Sequence, residues 1–450
     1  MRMRRFISFI LAGMALAAFP ASAQSIKDAV YADLNKAGGV YYMYEFKEHK
    51  VTPPPKGYTP VYLSHYGRHG ARYLLNDTQF ERSLGVLRAA HEQNALTEVG
   101  ERIWQEASAY FEEDCRYRAG DLTPLGWEQH YKIAREIYNA NRKFFKKQPV
   151  VTAGATQIPR CIVSMAAFCQ GLASADPSLQ IYEAASRADL DEINPHADEN
   201  PRRVSVRMEG GRYSRIDPWG TGLKGFIDAR IDHHAICGRI FADPDFPKPF
   251  RGTRAFVTDF YDLVFNMQCT PTKRSLMWFF TPDECYKLWE INNYIHYMES
   301  APYATKRDMP ALMNLIADAD SALAAGKPTV RLRFGHDTVF LFLISAFGAD
   351  GFGIVPSSAD EISATWANYR APMAATLYLL FCRNKAGNVL VKMVVNGEEA
   401  TLPLEPVKGP WYNWEDLKSV YNDRIYVTSE TYLPYQTEIT LKKKVNNRRK

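Results

Sequence analysis

The 450-residue sequence has no CxxC pair; its seven cysteines (Cys115, Cys161, Cys169, Cys237, Cys269, Cys285 and Cys382) are scattered singly. A zinc–thiolate site built on such pairs is therefore not expected. An odd count leaves at least one thiol unpaired, and spacing alone does not give connectivity. If Cys161 and Cys169 share one helix, eight residues of rise set them roughly 12 Å apart, beyond disulfide reach. Internal repeats are missing, as are Gly/Ser- or Pro-rich linkers, so nothing marks a flexibly tethered module. A large charge excess is missing too. Arg2, Arg4 and Arg5 and the six cations of the terminal "KKKVNNRRK" account for nine of the 55 basic residues, leaving 46 against 50 acidic ones. So neutral a body lacks the basic face of a nucleic-acid binder, and no nucleic-acid partner is expected. What is present is 46% hydrophobic and 13% aromatic, enough for one large core or two modest ones.

The N-terminus reads differently. Three arginines precede the apolar "FISFILAGMALAAF" and then "ASAQ", a small-x-small site ending at Ala23. This is the layout of a secretory signal peptide, shorter than the roughly 20 apolar residues of a spanning helix. The expectation is a signal at 1–23, a mature chain from about Gln24, and export to the periplasm or the medium. No cysteine follows the cut, so no lipid anchor is expected, and no later membrane span is found.

Further along, "PPPKGYTPVYLSHYG" leads from stiff prolines into a buried strand over Val61–Leu63 that stops at Gly67. In "DLTPLGWEQHYKIAREIYNANRKFF", Thr123 can cap a helix whose first residue is Pro124, with Trp127, Tyr131, Ala134 and Tyr138 forming its core stripe. "QPVVTAGATQ" predicts a short strand. "PRCIVSMAAFCQGL" predicts a helix opened by Pro159 and ended by Gly171, with Arg160 in its first turn. Residues 175–325 are dense in Pro, Gly, aromatics and charge, with helical stretches, and read as an inserted or capping region. Val330–Phe334 alternate as a strand broken by Gly335, and Asp337 can cap an apolar helix ending near Gly348. The last part is strand-rich, with a hairpin turn at Asn396-Gly397.

Three separated segments thus carry cationic or titratable groups to strand ends and helix starts, where open α/β sheets place their ligands. Arg68, His69 and Arg72 come from "SHYGRHGARYL", Arg160 from the second segment, and His336 with Asp337 from the third. Singly each has a plain structural explanation: a surface arginine, or a hydrogen-bonded His–Asp pair. Together they describe an anion site with a proton donor.

At these positions the sequence resembles the histidine acid phosphatase family, branch 2 of the histidine phosphatase superfamily, which includes phytases and multiple inositol polyphosphate phosphatases. The Arg-His-Gly-x-Arg signature reads as Arg68, His69, Gly70, Ala71 and Arg72, and the His-Asp signature as His336 and Asp337. A middle segment reads as Thr156, Arg160, Ser164 and Ala166, and "LTPLGWEQH" is similar to the family's Leu-Thr-x-x-Gly segment. The similarity runs from about 58 to 405, loosely over 175–325. It implies an α/β fold: a phosphoglycerate-mutase-like three-layer α/β/α core with an additional, mainly helical cap domain. A catalytic unit would span 24–440, with core parts near 24–75, 146–175 and 326–440, helical or cap parts near 76–145 and 176–325, and a basic tail at 441–450.

Phosphoryl transfer asks for in-line geometry and charge neutralisation more than for new bonds from the protein. Arginine offers a permanent charge and a planar fork of donors. Arg68, Arg72 and Arg160 would clamp the phosphate, with His336 as a further donor. Nearby cations bias His69 toward its neutral, nucleophilic form. Asp337 would protonate the leaving alcohol and then activate water. The arginines replace a metal ion, so no cofactor is expected. Asp337 must be protonated at the first step, which predicts an acid-active phosphomonoesterase acting on small-molecule phosphate esters.

Several features are set aside. "DHH" (Asp232–His234) reads as structural or surface rather than metal-binding, "WGTGLKG" as a loop, the cysteines as core fillers or disulfide halves, and His65 as a local hydrogen-bonding residue. Arg202, Arg203, Arg207, Arg212 and Arg215 form a charged run that reads either as a solvated face or as a rim for additional phosphates. A dedicated phytase or multiple inositol polyphosphate phosphatase is the alternative substrate reading, although the latter group commonly has His-Ala-Glu in place of His336-Asp337. A mutase-type phosphotransferase and a non-catalytic phosphate-binding protein are the remaining readings. The presence of every motif residue speaks against the non-catalytic one, and export with the Asp donor against the transferase.

Overall fold

The strand that ends in Arg68 lies at the centre of a mixed sheet with helices on both faces. The computed structural model describes residues 25–47, 51–200, 205–206, 219–220, 222–301, 307–421 and 439–440. The signal segment 1–23, the Arg202–Arg215 run and the tail 441–450 lie outside the described residues. The strands of the main sheet are β1 (Thr59–Arg68), β2 (Val150–Ala155), β3 (Ile181–Ala184), β4 (Thr329–Gly335), β5 (Thr376–Arg383), β6 (Val389–Val395), β7 (Glu398–Glu399) and β8 (Tyr412–Asn413). They lie in the order β3–β2–β4–β1–β5–β6–β7, with β8 also on β6. The first four are mutually parallel, and β5 onward run antiparallel. Asn396 and Gly397, both at positive φ, turn β6 into β7 as the Asn-Gly pair predicts.

The principal helices are α1 (Asp77–Glu92), α2 (Glu98–Ala109), α3 (Pro124–Ala140), α4 (Pro159–Ala175), α5 (Thr253–Asn266), α6 (Pro282–Ser300), α7 (Met309–Ala325) and α8 (Asp337–Phe347). Period-two alternation divides the sheet between two layers. Leu63, Val151, Ala153, Leu332, Phe334 and Leu380 pack with Ile133, Ile137, Met165 and Phe168 of α3 and α4. Tyr62, Tyr66, Leu379 and Phe381 pack with Leu312, Leu315 and Phe340 of α7 and α8. The aromatic core around Phe256, Phe260 and Trp289 of α5 and α6 is continuous with this second layer. The α/β/α architecture therefore holds, with the additional helices joined to it by shared core.

Some boundaries differ from expectation. Strand β3 and helix α3, placed by sequence among the cap parts, belong to the sheet and its covering layer. The core face of α3 runs through Gly126, Gln129, His130, Ile133, Ala134 and Ile137. Trp127 and Tyr131 lie half-buried at its edge, stacked with ring centroids 5.2 Å apart. Gly171 does not end α4, which continues to Ala175; it is the point where α3 crosses, and a Cβ there would lie 2.5 Å from the Tyr131 carbonyl oxygen. "WGTGLKG" is only partly loop, because a short helix begins at Leu223. All seven cysteines are buried free thiols, so none is half of a disulfide.

A second close crossing positions the site. Thr123 caps α3 through Gly126 N–H, and its hydroxyl also donates to Ala71 O at 3.1 Å and Cys269 O at 2.9 Å. This draws the helix start onto the loop after β1. A Cβ on Gly126 would lie 2.3 Å from Ala71 O, and one on Gly70 would lie 2.4 Å from Gly126 O. The Arg-His-Gly and Leu-Thr-x-x-Gly segments therefore interlock through two residues that have no side chain. Gly126→Ala should cost roughly 1–3 kcal/mol by overpacking. Urea unfolding checks this, and activity should fall further than stability, because the displaced backbone carries His69.

Candidate active site

Strand β1 leaves the sheet between β4 and β5, and its end is tied to both. Arg68 N–H donates to Ala375 O at 2.8 Å and His69 N–H to Gly335 O at 3.0 Å, while His69 O accepts from Ala374 N at 3.0 Å. His69 Nδ1 lies 2.9 Å from Gly70 O. A carbonyl only accepts, so Nδ1 carries the proton and Nε2 keeps its lone pair. Ser164 of α4 accepts from Gly70 N at 3.0 Å, and Gln129 of α3 accepts from Ala71 N at 2.9 Å. The motif loop is thus fixed from both covering helices.

His69, Arg72, Arg160, His336 and Asp337 line one cavity of about 680 Å³, with Thr156 and Gln157 between them. Arg160 sits in the first turn of α4 and Asp337 in the first turn of α8, so two helix N-termini open on the same space. Their partial positive charges favour an anion. Buried Nε atoms of Arg68, Arg72 and Arg160 have no hydrogen-bond partner. His336 stands edge-on to His69, with centroids 5.8 Å apart, and its Nε2 is 3.5 Å from Thr156 Oγ1.

Two residues are arranged differently from the sequence reading. Arg68 lies behind the cavity and is 0% exposed. Its Nη1 donates to Val40 O and to Ala371 O at 2.7 Å, and its Nη2 lies 2.9 Å from Asp337 Oδ2. Asp337 does not cap α8; His336 is the N-cap, and Asp337 is the first helical residue, with Oδ1 accepting from Thr338 N at 2.9 Å. Burial alone would raise the Asp337 pKa. Arg68, with His296, Arg72 and His336, outweighs burial and holds the carboxyl well below its ordinary range. Without a substrate anion beside it, the Arg68 charge thus favours Asp337 as a carboxylate.

The histidines shift as expected. Burial, then Arg160, Arg68, Arg72 and His336, push His69 well below 6.5. Burial and Arg160 take His336 down to about 3. His65 is buried between Phe168 and Phe334 with Nε2 2.8 Å from Thr376 Oγ1, a packing role. Of the "DHH" residues, Asp232 caps the helix His233–Ile240, His233 is buried, and His234 is exposed beside Asp245 at 3.3 Å.

Sequence reasoning missed the opposite wall: Asn194, His196 and Glu199 after β3, Asp262 of α5, and Asn292, His296 and Glu299 of α6. The spacing of the last three, i, i+4 and i+7, marks one helix face. That was the available signal.

A three-layer α/β/α sheet that gathers a neutral histidine, three guanidinium groups and a carboxylate at its parallel-strand ends defines a phosphate-handling α/β protein. The family model of the histidine phosphatase superfamily (branch 2) matches residues 67–207, the stretch from the end of β1 through α4 and β3. No curated protein matches the sequence. Among solved structures, it is similar to the Bifidobacterium longum multiple inositol polyphosphate phosphatase in complex with inositol hexasulfate. That match has 16% identity and a TM-score of 0.73, covering 86% of this chain and 97% of the other. It is also similar to the phytase from D. castellii (14%, TM-score 0.64, covering 91% and 88%). The Hafnia alvei phytase is a third likeness (12%, TM-score 0.50, covering 82% and 98%).

The buried neutral histidines predict the acid limb of stability. His336 and His130 have folded values of about 3, and His65 and His69 lie well below 6.5. The unfolded chain binds protons from about pH 6.5 downward while the folded chain does not, so stability falls with pH through that window. Asp337, depressed in the fold, adds to the loss in stronger acid. Calorimetry should show Tm dropping between pH 7 and 4, with a shallower drop in His130→Leu.

Proposed function

We propose that the protein hydrolyses small organic phosphate monoesters, inositol phosphates among the candidates, by a metal-independent route through a phosphohistidine on His69. The observation that carries this reading is the His69 tautomer. Nδ1–H is spent on Gly70 O, and Nε2 is an unprotonated nucleophile facing a cavity framed by arginines. Attack by Nε2 on phosphorus breaks the P–O bond to the alcohol. Arg72 and Arg160 neutralise the equatorial oxygens, and His336 donates from its neutral ring. Arg68 Nη2, which lies against Asp337, becomes available to the phosphate as the phosphate's charge competes with that carboxylate.

That competition supplies the proton donor. A phosphate beside Asp337 shares its Arg68 partner and adds negative charge, and both effects raise the carboxyl pKa. A monoanionic ester, the form below its second pKa of about 6, also brings a proton that can pass to Asp337 and then to the leaving oxygen. Asp337, again a carboxylate, takes a proton from the water that attacks the phosphohistidine, releasing inorganic phosphate and restoring His69. Acid activity therefore rests on the substrate's ionisation, so kcat/KM for alkyl phosphates should fall above about pH 6, and esters of lower second pKa should lose activity at correspondingly lower pH.

His69→Ala should abolish p-nitrophenyl phosphate turnover and acid-labile labelling from a labelled phosphate ester; retained activity would remove His69 as nucleophile. Asp337→Asn should reduce alkyl phosphate turnover by about 10²–10⁴ and affect p-nitrophenyl phosphate, with its good leaving group, far less. Equal losses would make Asp337 structural. Activity should persist in excess chelator.

A further inference from the structure

The wall facing the arginines has a chemistry of its own, and its interpretation rests on the phosphatase reading above. Two segments each contribute an amide, an imidazole and a carboxylate: Asn194, His196 and Glu199 from the turn after β3, and Asn292, His296 and Glu299 from α6. Asp262 of α5 adds a carboxyl group that burial, then Asp259, push up to about 7, so that it is a neutral acid at acidic pH. Among the described residues, the lysines and arginines lining the cavity are Arg72 and Arg160 alone, both on the phosphate side.

This wall is anchored. Arg333, fully buried on β4, pairs with Glu192 through Nε at 2.7 Å and with Asp318 through Nη2 at 2.7 Å. Tyr66 OH donates to Ile193 O at 2.8 Å. The segment bearing Asn194 is thereby held to the central sheet. His196 Nδ1 is fixed by Asp308 at 2.6 Å, and His296 Nδ1 by Asn292 O at 2.8 Å. Asn194 is 7% exposed, lines the cavity, and leaves its Oδ1 buried without a donor. A buried acceptor is satisfied by an O–H or N–H group. A phosphoryl oxygen, itself an acceptor, would meet it unfavourably, and the exposed carboxylate of Glu199 would repel it.

We infer that this wall recognises the free hydroxyls of a sugar or polyol monophosphate and selects against a second phosphoryl group next to the one being cleaved. Asn194 accepts a substrate hydroxyl, the imidazoles of His196 and His296 supply partners of either polarity, and the carboxylates accept further hydroxyls. The inference concerns the leaving group, and the chemistry at His69 is the same for any ester.

The test compares kcat/KM of the full chain on glucose 1-phosphate, phytate and p-nitrophenyl phosphate. Glucose 1-phosphate should exceed phytate by at least about tenfold. Asn194→Leu should lower the glucose 1-phosphate to p-nitrophenyl phosphate ratio about tenfold, the worth of one well-made hydrogen bond, mainly through KM. Glu199→Gln, at an exposed position where folding is not at stake, should raise phytate turnover relative to p-nitrophenyl phosphate several-fold. Phytate as the better substrate, or ratios that neither variant moves, would overturn the inference while leaving the phosphatase reading intact. Failure to turn over any of the three esters would overturn both.

Discussion

A guanidinium with no exposed surface lies at the junction of the fold. Arg68 contacts Val40 O, Ala371 O and Asp337, so one buried charge ties together the segment before β1, the loop before β5 and the start of α8. Burying an ion costs several kcal/mol unless it is paired and hydrogen-bonded, and removing one partner leaves that cost uncompensated. Here the compensation comes from two carbonyls and one carboxylate that are far apart in sequence. Asp337 is therefore the counterion, and under the function proposed above also the acid, two duties that conflict: the charge that makes the fold tolerable is the charge that holds its proton off. In the proposed mechanism a substrate phosphate resolves the conflict, because it would offer Arg68 a second anion and relax the hold on Asp337.

The same reasoning accounts for the glycines of the two sequence signatures. Gly70 and Gly126 let the loop carrying His69 and the start of α3 approach within backbone contact, and Ser164 and Gln129 then take up the loop's N–H groups. His69, the proposed nucleophile, is held by backbone from both sides, with its tautomer set by Gly70 O. Its pKa needs no dedicated partner, since burial and three guanidinium groups already keep it neutral.

How much of this could be read in advance depended on whether a feature was local. Strand ends, Thr123 with Pro124, the Asn396-Gly397 turn and the three motif segments are written in neighbouring residues, and they appear where expected. The buried partners of Arg68, Val40, Ala371 and Asp337, could not be read beside its place in the phosphate clamp, because they are not adjacent in sequence. Gly171 was read as a helix stop because a glycine that lets another helix cross looks the same in one dimension. The stripe on α3 was drawn through Trp127 and Tyr131 because large aromatics dominate a hydrophobic pattern. The space against the sheet suits Gly126 and His130 instead, while Ala134 and Tyr138 of the same stripe are buried as expected.

The wall of Asn194, His196, His296 and Glu299 was invisible for a different reason. Its residues are ordinary polar types in a region where resemblance is loose, and what unites them is a cavity. Its placement still follows from the sheet. Arg333 alternates with Leu332 and Phe334 on β4, so its side chain emerges on the face opposite α3 and α4, where it anchors Glu192 two residues before Asn194. The strand that delivers His336 and Asp337 at its end thus also fixes, through buried Arg333, the segment inferred to meet the rest of the substrate. The two proposed roles thus depend on one strand, through Arg333 within it and His336 and Asp337 just past its end, and a change in the register of β4 would displace both.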